Sequence, residues 1–334
     1  MVVCLAHLSG TAINAQRIFY DTGLSGTIRE VDGGGNTLIY SAPQDWQIRP
    51  IDTTLDFGGR IYWIERISGA PNTVLSCRLD GTDVRTELTG LTNAWNIQID
   101  GQNRFAYWMD ISQQRIFRAR LESNGSFEPN STVALIEIGG NFGGGLRLDL
   151  DNQKIYWSDF SGIKVADLDG SNVSTFYNTI PGDAVAVGEI ALDANGNVYW
   201  INAGLNGGMD AILRADPDGS NVQTLFSNFF VGFNNLEIDK QGGHLFFASS
   251  GIFRSELNGA NAQQFSTVFG VSSIDIPELP NCLLGDVSRN GAVDLLDVAP
   301  FVDQIISGEY SCEADVSRDG VVDLLDVQPF VNLL

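Results

Sequence analysis

Basic residues are scarce in this chain of 334 residues, which has 19 lysines and arginines against 41 aspartates and glutamates. The formal net charge at pH 7 is −22. A nucleic-acid backbone and an anionic membrane surface would both be repelled by this charge, so neither is an expected partner. Divalent cations are the natural counterions of such a protein.

The residues and motifs of common catalytic sites are also missing. The chain has two histidines, His7 and His244, and it contains neither a Gly-x-Ser-x-Gly nucleophile turn nor a phosphate-binding glycine loop. We therefore expect a binding protein rather than an enzyme.

No hydrophobic run is long enough to span a bilayer. At the N-terminus, a short apolar run at residues 2–6 is followed by small residues at Ala12 and Ala15. This pattern is typical of a signal peptide over residues 1–16 without its usual basic start, and an ordinary N-terminal segment is the alternative. The expected location is secreted or at the cell surface.

Cysteine is rare too, with four in the chain. Cys4 lies in the predicted leader, and Cys77 stands alone in a predicted strand, where we expect a small buried side chain. A disulfide between Cys282 and Cys312 would close a loop of about 30 residues and would fit an oxidising compartment. No pair has the spacing of a zinc site.

An aromatic pair recurs at intervals of 43 to 49 residues, which is the period of four-stranded propeller blades. The pairs are Phe19-Tyr20, Tyr62-Trp63, Tyr107-Trp108, Tyr156-Trp157, Tyr199-Trp200 and Phe246-Phe247. Before most pairs comes an alternating run that ends in aspartate, and after most pairs comes a run that ends in a turn with glycine. Such turns are strong hairpin signals, because glycine accepts a positive φ.

The strands at the two ends of this repeat complement each other. The first aromatic strand, at residues 17–21, has no aspartate strand before it, and the last aspartate strand, at residues 273–276, has no aromatic strand after it. Strands from both ends can share one blade and so remove the open sheet edges. We therefore predict a mainly β fold, a six-bladed β-propeller over residues 17–276.

Two segments carry a closer likeness to a known family. Ile155-Tyr156-Trp157-Ser158-Asp159 and Ala106-Tyr107-Trp108-Met109-Asp110 resemble the YWTD repeats of the low-density-lipoprotein-receptor propeller. The resemblance implies that the aromatic residues build the blades, so we interpret them as core rather than as a surface for stacking sugars. It does not specify a ligand, and a protein or a glycan on the propeller are both expected partners.

Inner strands line the axis of a propeller, so their polar residues form a candidate site. The positions four residues before each strand-ending aspartate hold Asp52, Asn96, Gly145, Glu189, Asn235 and Val271. The candidates for holding a cation or a polar ligand at the channel mouth are Asp52, Asn96, Glu189 and Asn235. Solvated strand ends are the alternative. A catalytic form of this site would make the chain an extracellular carbohydrate-active hydrolase or lyase.

After a linker at residues 277–282, two loops repeat in register within the segments 285–302 and 314–331. Oxygen donors at loop positions 1, 3, 5, 7, 9 and 12, with a glycine at the turn, have the spacing that calcium loops require. The predicted ligands are Asp286, Ser288, Asn290, Ala292, Asp294 and Asp297 in the first loop, and Asp315, Ser317, Asp319, Val321, Asp323 and Asp326 in the second. Ala292 and Val321 would use their backbone carbonyls. We predict two Ca²⁺ sites in a small helical domain at residues 283–334.

The duplicated loop and helix, with aspartate at position 12, resembles the type I dockerin. The resemblance implies a calcium-binding module that docks to a cohesin-like or other extracellular protein, often in assemblies that break down polysaccharides. Pro300 and Pro329 are expected in the first turn of each helix. A structural module that needs calcium only for stability is a further hypothesis.

Leucine pairs occupy positions 10 and 11 of both loops, where dockerins carry the residues that contact the partner. They are Leu295-Leu296 and Leu324-Leu325. We expect one leucine of each pair to pack between the two repeats and the other to form an apolar contact with a partner.

Overall fold

Short antiparallel strands make up most of the folded chain. The computed structural model describes residues 17–32, 35–43, 46–54, 56–66, 69–139, 142–179, 185–204, 210–228, 232–240, 242–277, 287, 293, 295–307, 314, 316, 322 and 324–334. Within these ranges there are 24 strands and two α-helices. The predicted signal peptide, Cys282 and Cys312 lie outside the described residues.

The strands form six four-stranded sheets, which are the blades of the predicted six-bladed propeller. Blade 1 consists of β1 (Ile18–Asp21), β2 (Thr27–Asp32), β3 (Gly35–Ser41) and the last strand, β24 (Ser273–Asp275). Blades 2 and 3 consist of β4 (Gln47–Thr54), β5 (Arg60–Arg66), β6 (Asn72–Arg78), β7 (Arg85–Leu91), β8 (Ala94–Asp100), β9 (Phe105–Asp110), β10 (Arg115–Arg120) and β11 (Val133–Glu137).

The remaining blades repeat this arrangement. Blades 4 and 5 consist of β12 (Phe142–Asp149), β13 (Lys154–Asp159), β14 (Gly162–Asp167), β15 (Ser174–Asn178), β16 (Val185–Leu192), β17 (Val198–Gly204), β18 (Asp210–Ala215) and β19 (Gln223–Asn228). Blade 6 consists of β20 (Asn235–Asp239), β21 (His244–Ala248), β22 (Ile252–Glu256) and β23 (Gln263–Ser266). The inner strands β24, β4, β8, β12, β16 and β20 contact one another around the axis.

Strands from both ends of the propeller close the ring, as predicted. The last strand, β24, pairs with β1 and places Asp275 opposite Phe19, Ile274 opposite Tyr20 and Ser273 opposite Asp21. The inner edge of blade 1 is therefore contributed from a point more than 230 residues beyond its other three strands. This pairing satisfies backbone groups that would otherwise form an open sheet edge.

The aromatic pairs build the interfaces between blades. Neighbouring residues of a strand point to opposite faces of the sheet. The first aromatic residue of one blade therefore shares a buried cluster with the second aromatic residue of the next blade. The six combinations are Phe19 with Trp63, Tyr62 with Trp108, Tyr107 with Trp157, Tyr156 with Trp200, Tyr199 with Phe247, and Phe246 with Tyr20. The interpretation of these residues as core is confirmed, and so is the burial of Cys77, whose thiol pKa is raised to about 12 by desolvation.

Two kinds of turn hold the strands of each blade together. In the turn after an inner strand, the carboxylate of the strand-ending aspartate accepts a backbone N–H, as Asp100 does from Asn103 at 3.0 Å and Asp149 from Asn152 at 3.1 Å. In the outer hairpins, the residue before glycine accepts a backbone N–H two residues ahead, as Asp218 does from Ser220 at 2.9 Å. These contacts replace the ladder hydrogen bonds that end at the turns.

Beyond the propeller, the described residues form two helices, α1 (Val298–Ser307) and α2 (Val327–Val331). Each has its proline in the first turn, as predicted. The rings of Phe301 and Phe330, which occupy equivalent positions in the two repeats, stack with their centroids 3.9 Å apart. They are the centre of a small core completed by Val287, Ala314 and Val322. In the part of the chain that the structure describes, neither helix is long and apolar enough to cross a membrane.

Substitution of Gly219 tests how much the outer hairpins contribute to the packing of one blade against the next. Its φ is +81°, and an added Cβ would lie 2.7 Å from the carbonyl oxygen of Phe176 in blade 4. Gly90 has nearly the same φ, +82°, with no atom near an added Cβ. We expect Gly90→Ala to cost about 1 kcal/mol of unfolding free energy through its backbone conformation alone.

Gly219→Ala should cost about 1 to 3 kcal/mol more than Gly90→Ala, because the methyl group overlaps a neighbouring backbone. Urea unfolding of the two full-length variants measures the difference. Equal losses would contradict a close contact between blades at this hairpin.

Candidate ligand-binding site at the channel mouth

A cavity of about 330 Å³ opens at one end of the channel. Each blade has four antiparallel strands, so all inner strands run in the same direction. They begin at the end of the channel that holds this cavity, which we call the mouth face. The cavity, called the mouth cavity below, is lined by Asp21, Thr22, Gly23, Trp95, Glu189, Asn234, Gly270, Val271, Ser272 and Ser273. Its volume is within the range of sites for small ligands or single side chains of a partner.

Below the mouth cavity, the six inner strands place six equivalent residues around the channel. Each lies opposite the first aromatic residue of its blade, as Asp52 lies opposite Tyr62 and Gln98 opposite Tyr107. The full set is Asp52, Gln98, Arg147, Ala191, Glu237 and Asp275, and its five polar members are called the polar ring below. All six residues are more than nine-tenths buried. The space left among them and the residues above is about 20 Å³, which is room for one water molecule.

The polar ring connects neighbouring blades through hydrogen bonds to the backbone. The Asp52 carboxylate accepts the Ile99 N–H at 2.7 Å and the Gln98 side-chain amide at 3.0 Å. In the same way, the Asp275 carboxylate accepts the Thr53 N–H at 2.6 Å and also the Thr53 hydroxyl. These contacts join blade 2 to blade 3 and blade 1 to blade 2.

Arg147 and Glu237 cross the channel between blades 4 and 6. The guanidinium donates two hydrogen bonds to the carboxylate, at 2.7 Å and 2.5 Å. A two-point pair of this kind is among the stronger ionic contacts in proteins, and its geometry matters because both charges are buried. The ring thus holds three carboxyl groups and a single cation.

Burial, and then the excess of carboxyl groups, raises the pKa of Asp52 and Asp275. Burial, and then the charge of Glu237, raise the pKa of Asp275 to about 8 although Arg147 opposes the shift. Burial and the nearby Asp275 raise the pKa of Asp52 well above its ordinary value. Glu189, partly buried at the floor of the mouth cavity, has its pKa raised to about 8, chiefly by desolvation.

The structure separates the four predicted channel residues into two layers. Asn96 and Glu189 meet, with the Asn96 amide nitrogen 3.3 Å from one carboxylate oxygen and 3.4 Å from the other. Asn235 accepts the Ile274 N–H at 3.1 Å, which links blade 6 to blade 1. Asp52 lies deeper, in the polar ring.

Asp52 was expected to be equivalent to Asn96, but the strand pairing shows that its equivalent is Gln98. The shift arises because Asp56, which resembles the strand-ending aspartates, belongs to a short 3-10 helix beyond β4. Trp95, Arg147, Glu237 and Asp275 were not among the predicted site residues. A charged residue at an inward position of an apolar run, as in Leu146-Arg147-Leu148, is the signal that points to a buried partner.

In the C-terminal domain, the predicted position-12 ligands Asp297 and Asp326 are fully buried next to the two helices. The other predicted ligands lie outside the described residues: Asp286, Ser288, Asn290, Ala292, Asp294, Asp315, Ser317, Asp319, Val321 and Asp323. Among the residues that are described, no three acidic, histidine or cysteine side chains are grouped as a metal site would need. The two calcium sites remain predictions.

Both leucines of each pair point to solvent, with exposed fractions of 80% and 68% for Leu295 and Leu296, and 77% and 66% for Leu324 and Leu325. The expectation that one leucine of each pair packs between the repeats is wrong. The core is filled instead by the two phenylalanines together with valines such as Val322. Four large apolar side chains are therefore exposed at equivalent positions of the two repeats.

The acidic groups of the channel predict a pH dependence of stability. Asp275 and Glu189 each have a pKa raised to about 8, so the folded protein holds protons that the unfolded chain has released. The folded state binds more protons above about pH 4, where the unfolded carboxyl groups ionise. The free energy of unfolding should therefore fall as pH rises from about 4.5 to about 8, by about 1 kcal/mol or more, and then level off.

Urea unfolding at pH 5, 7 and 9 measures this slope. Asp275→Asn should flatten it, whereas Asp169→Asn, in an exposed hairpin, should leave it unchanged between these values. Equal stability of the unmodified protein at pH 5 and pH 9 would rule out protonated carboxyl groups in the channel.

The comparisons with known proteins agree with this architecture. The chain is 28% identical over 206 residues to "Low-density lipoprotein receptor-related protein 1" of Pyricularia oryzae. The matched region covers 53% of this chain and 64% of that protein. It is 26% identical over 147 residues to "Protein cueball" of Drosophila ananassae, covering 42% of this chain and 22% of the relative. No family model matches the chain. The similarity thus spans less than two thirds of the length of either relative.

Among solved structures, the nidogen/laminin complex contains a chain that matches with a TM-score of 0.63 and 15% identity, covering 79% of this chain and 98% of that one. TolB from Acinetobacter baumannii matches with a TM-score of 0.55 and 13% identity, over 79% of this chain and 67% of that one. At these identities the structural likeness concerns the fold. The chain contains a six-bladed propeller and is similar in sequence to a low-density-lipoprotein-receptor-related protein.

Proposed function

We propose that this chain is an extracellular binding protein whose mouth face receives a protein partner and whose C-terminal module docks to a second protein in the presence of Ca²⁺. The observation that carries the first part is the composition of the mouth face. Trp95 forms part of the wall of the mouth cavity, and Phe269, which is 78% exposed, directly precedes Gly270 of the same wall. Aromatic side chains around a polar depression are typical of the central contacts in protein interfaces.

The relatives support a protein rather than a small metabolite as the ligand. One relative is named as a receptor-related protein, and one solved neighbour was determined within the nidogen/laminin complex. Propellers serve many functions, so the fold alone would not favour this choice. The exposed aromatic residue next to the cavity is what makes the comparison relevant to this chain.

The binding test uses the full chain as bait in the extracellular fraction of the source cells. We expect a protein to be captured by the unmodified chain and lost in a Trp95→Ala/Phe269→Ser variant, because both changes remove aromatic area from the mouth face. Val173→Ser is the control, since Val173 is also exposed, at 54%, but lies in the β14–β15 hairpin of blade 4 at the face opposite the mouth. Capture that survives the double substitution would contradict binding at the mouth.

The docking part of the proposal rests on the repeated loops and the exposed leucine pairs. Carboxylate, hydroxyl and amide oxygens are the ligands that Ca²⁺ prefers, and the loops repeat them at the spacing that a calcium loop requires, with Asp297 and Asp326 at position 12. Bound calcium would bring positive charge to these acidic loops and would fix the loops that carry the leucines. A cohesin-like protein is the expected partner from the dockerin resemblance.

Replacing all four leucines by serine should abolish calcium-dependent capture while calcium binding persists, because the leucines carry no ligand oxygen. Calorimetry with Ca²⁺ measures whether the leucine variant still binds calcium. Retained capture by the leucine variant would leave calcium as a purely structural component.

The second loop has four predicted carboxylate ligands and the first has three, so Asp319→Asn should weaken the tighter of the two sites.

A second candidate function is supported by Glu189. A carboxyl group with a pKa of about 8 beside a cavity is suited to general acid or base chemistry on a polysaccharide. Sugar release from plant or microbial polysaccharides by the full chain, lost in Glu189→Gln, would favour the hydrolase or lyase alternative.

A further inference from the structure

We propose that the mouth cavity binds a cationic group, an ammonium or a guanidinium, at the end of a basic side chain of the partner. This inference rests on the proposed binding of a protein and adds the chemistry of its central contact. It follows from the lining of the cavity, the charges beneath it and the aromatic residues beside it.

The lining is acidic. Among the described residues that form the mouth cavity, Asp21 and Glu189 carry carboxyl groups and none is a lysine, arginine or histidine. Asp21 accepts the Gly23 N–H at 2.7 Å and the Ser273 hydroxyl, so its oxygens serve the local fold. Glu189 is therefore the carboxyl group best placed to meet a ligand.

The contacts of Glu189 leave capacity for a stronger donor. The Asn96 amide lies 3.3 Å and 3.4 Å from its two oxygens, which is long for a hydrogen bond to a carboxylate, and the Ile190 N–H also donates to Glu189. An ionised carboxylate has about four acceptor positions. A cationic donor in the mouth cavity can approach at the shorter distance that charge-assisted hydrogen bonds adopt.

The charges in and below the cavity favour a cationic ligand over an anionic one. Asp52, Glu237 and Asp275 face a single cation, Arg147, whose guanidinium donates two hydrogen bonds to Glu237. The charge of Arg147 reaches Glu189, but the carboxylate of Glu237 that pairs with Arg147 opposes it, so the polar ring adds no net positive charge beneath the mouth. An anionic group would be repelled and a cation attracted, most strongly in a narrow cavity with little water.

Aromatic side chains suit the stem of such a ligand. Trp95 lines the cavity, and the Arg66 guanidinium already lies 4.5 Å from its ring centroid, so this indole accepts a cation at close range. Phe269 lies on the segment that continues into the cavity wall at Gly270. A lysine or arginine side chain can cover these rings with its methylene groups while its charged end reaches Glu189.

The same chemistry could come from a free diamine. The exposed Phe269 favours a side chain on a protein surface, because a small diamine would leave most of that apolar area uncovered. The test therefore includes both sources.

The full chain is titrated by calorimetry at pH 8.5 with Ac-Gly-Lys-Gly-NH₂, with the neutral analogue that has norleucine in place of lysine, and with cadaverine. We expect the lysine peptide to bind at least tenfold more tightly than the norleucine peptide. Glu189→Gln should lower its affinity about tenfold, since a charged hydrogen bond becomes a neutral one. Glu122→Gln, an exposed acid in an outer hairpin of blade 3, should leave the affinity unchanged.

The pH profile of binding gives an independent readout. Glu189 must be ionised to hold the cation, and it faces Asn96, Arg147 and Glu237 from the neighbouring inner strands. The affinity for the lysine peptide should therefore rise from pH 6.5 to pH 9, and this rise should vanish in Glu189→Gln. Equal affinity for the lysine and norleucine peptides would overturn the inference, and binding of cadaverine without binding of the lysine peptide would overturn the protein source.

One more variant separates this inference from the proposed function. Asn234→Lys places a tethered ammonium at the rim of the cavity and should block both the lysine peptide and the captured protein. A protein captured equally by the unmodified chain, by Glu189→Gln and by Asn234→Lys would support protein binding and refute the cation site. Selective binding of the lysine peptide without any captured protein would support the cation site and refute the proposed function.

Discussion

The pairing of the last propeller strand with the first is the constraint on which the rest of the structure depends. Each blade buries one aromatic residue against the blade before it and one against the blade after it, so no blade can complete its core unless the ring is closed. Closure relies on the short β24 and its three pairs with β1. Once the ring is shut, the inner strands converge and their side chains must share one narrow channel. The polar ring and the mouth cavity both follow from that convergence.

The filling of the channel is unusual for a protein core because it is polar. Three carboxyl groups around one guanidinium are costly to bury, and a purely apolar ring would be cheaper for stability. The polar side chains supply directional hydrogen bonds between blades. Asp52 and Asp275 accept backbone N–H groups of the next blade, and Arg147 links blade 4 to blade 6. These contacts hold blades in register where no β-ladder connects them. They also place a group of acidic side chains beneath the mouth, where a partner would approach.

Much of the architecture was predictable from the sequence because its signals are local. The aromatic pairs, the aspartates that end inner strands and the Asp-Gly turns each repeat within a few residues, and together they indicate six blades and their closure. The site was less accessible. The contact between Arg147 and Glu237 joins residues 90 positions apart, and the sequence around either residue gives no signal that the other is its partner. The register of blade 2 was missed because an aspartate in a short helix resembled those that end strands, and the packing of the leucine pairs was misjudged because valines and phenylalanines already fill that core.

The closing strand also has a mechanical consequence. β24 runs from the mouth face toward the opposite face, so the chain leaves the propeller at Pro277 on the side away from the mouth. Any tension on the C-terminal segment would pull along β24 and load its three pairs with β1 in shear, all at the same time rather than one after another. The strand that shuts the ring would then also be the element that bears the load of an anchored assembly. Its resistance would come from the hydrogen bonds of one short ladder together with the buried side chain of Asp275.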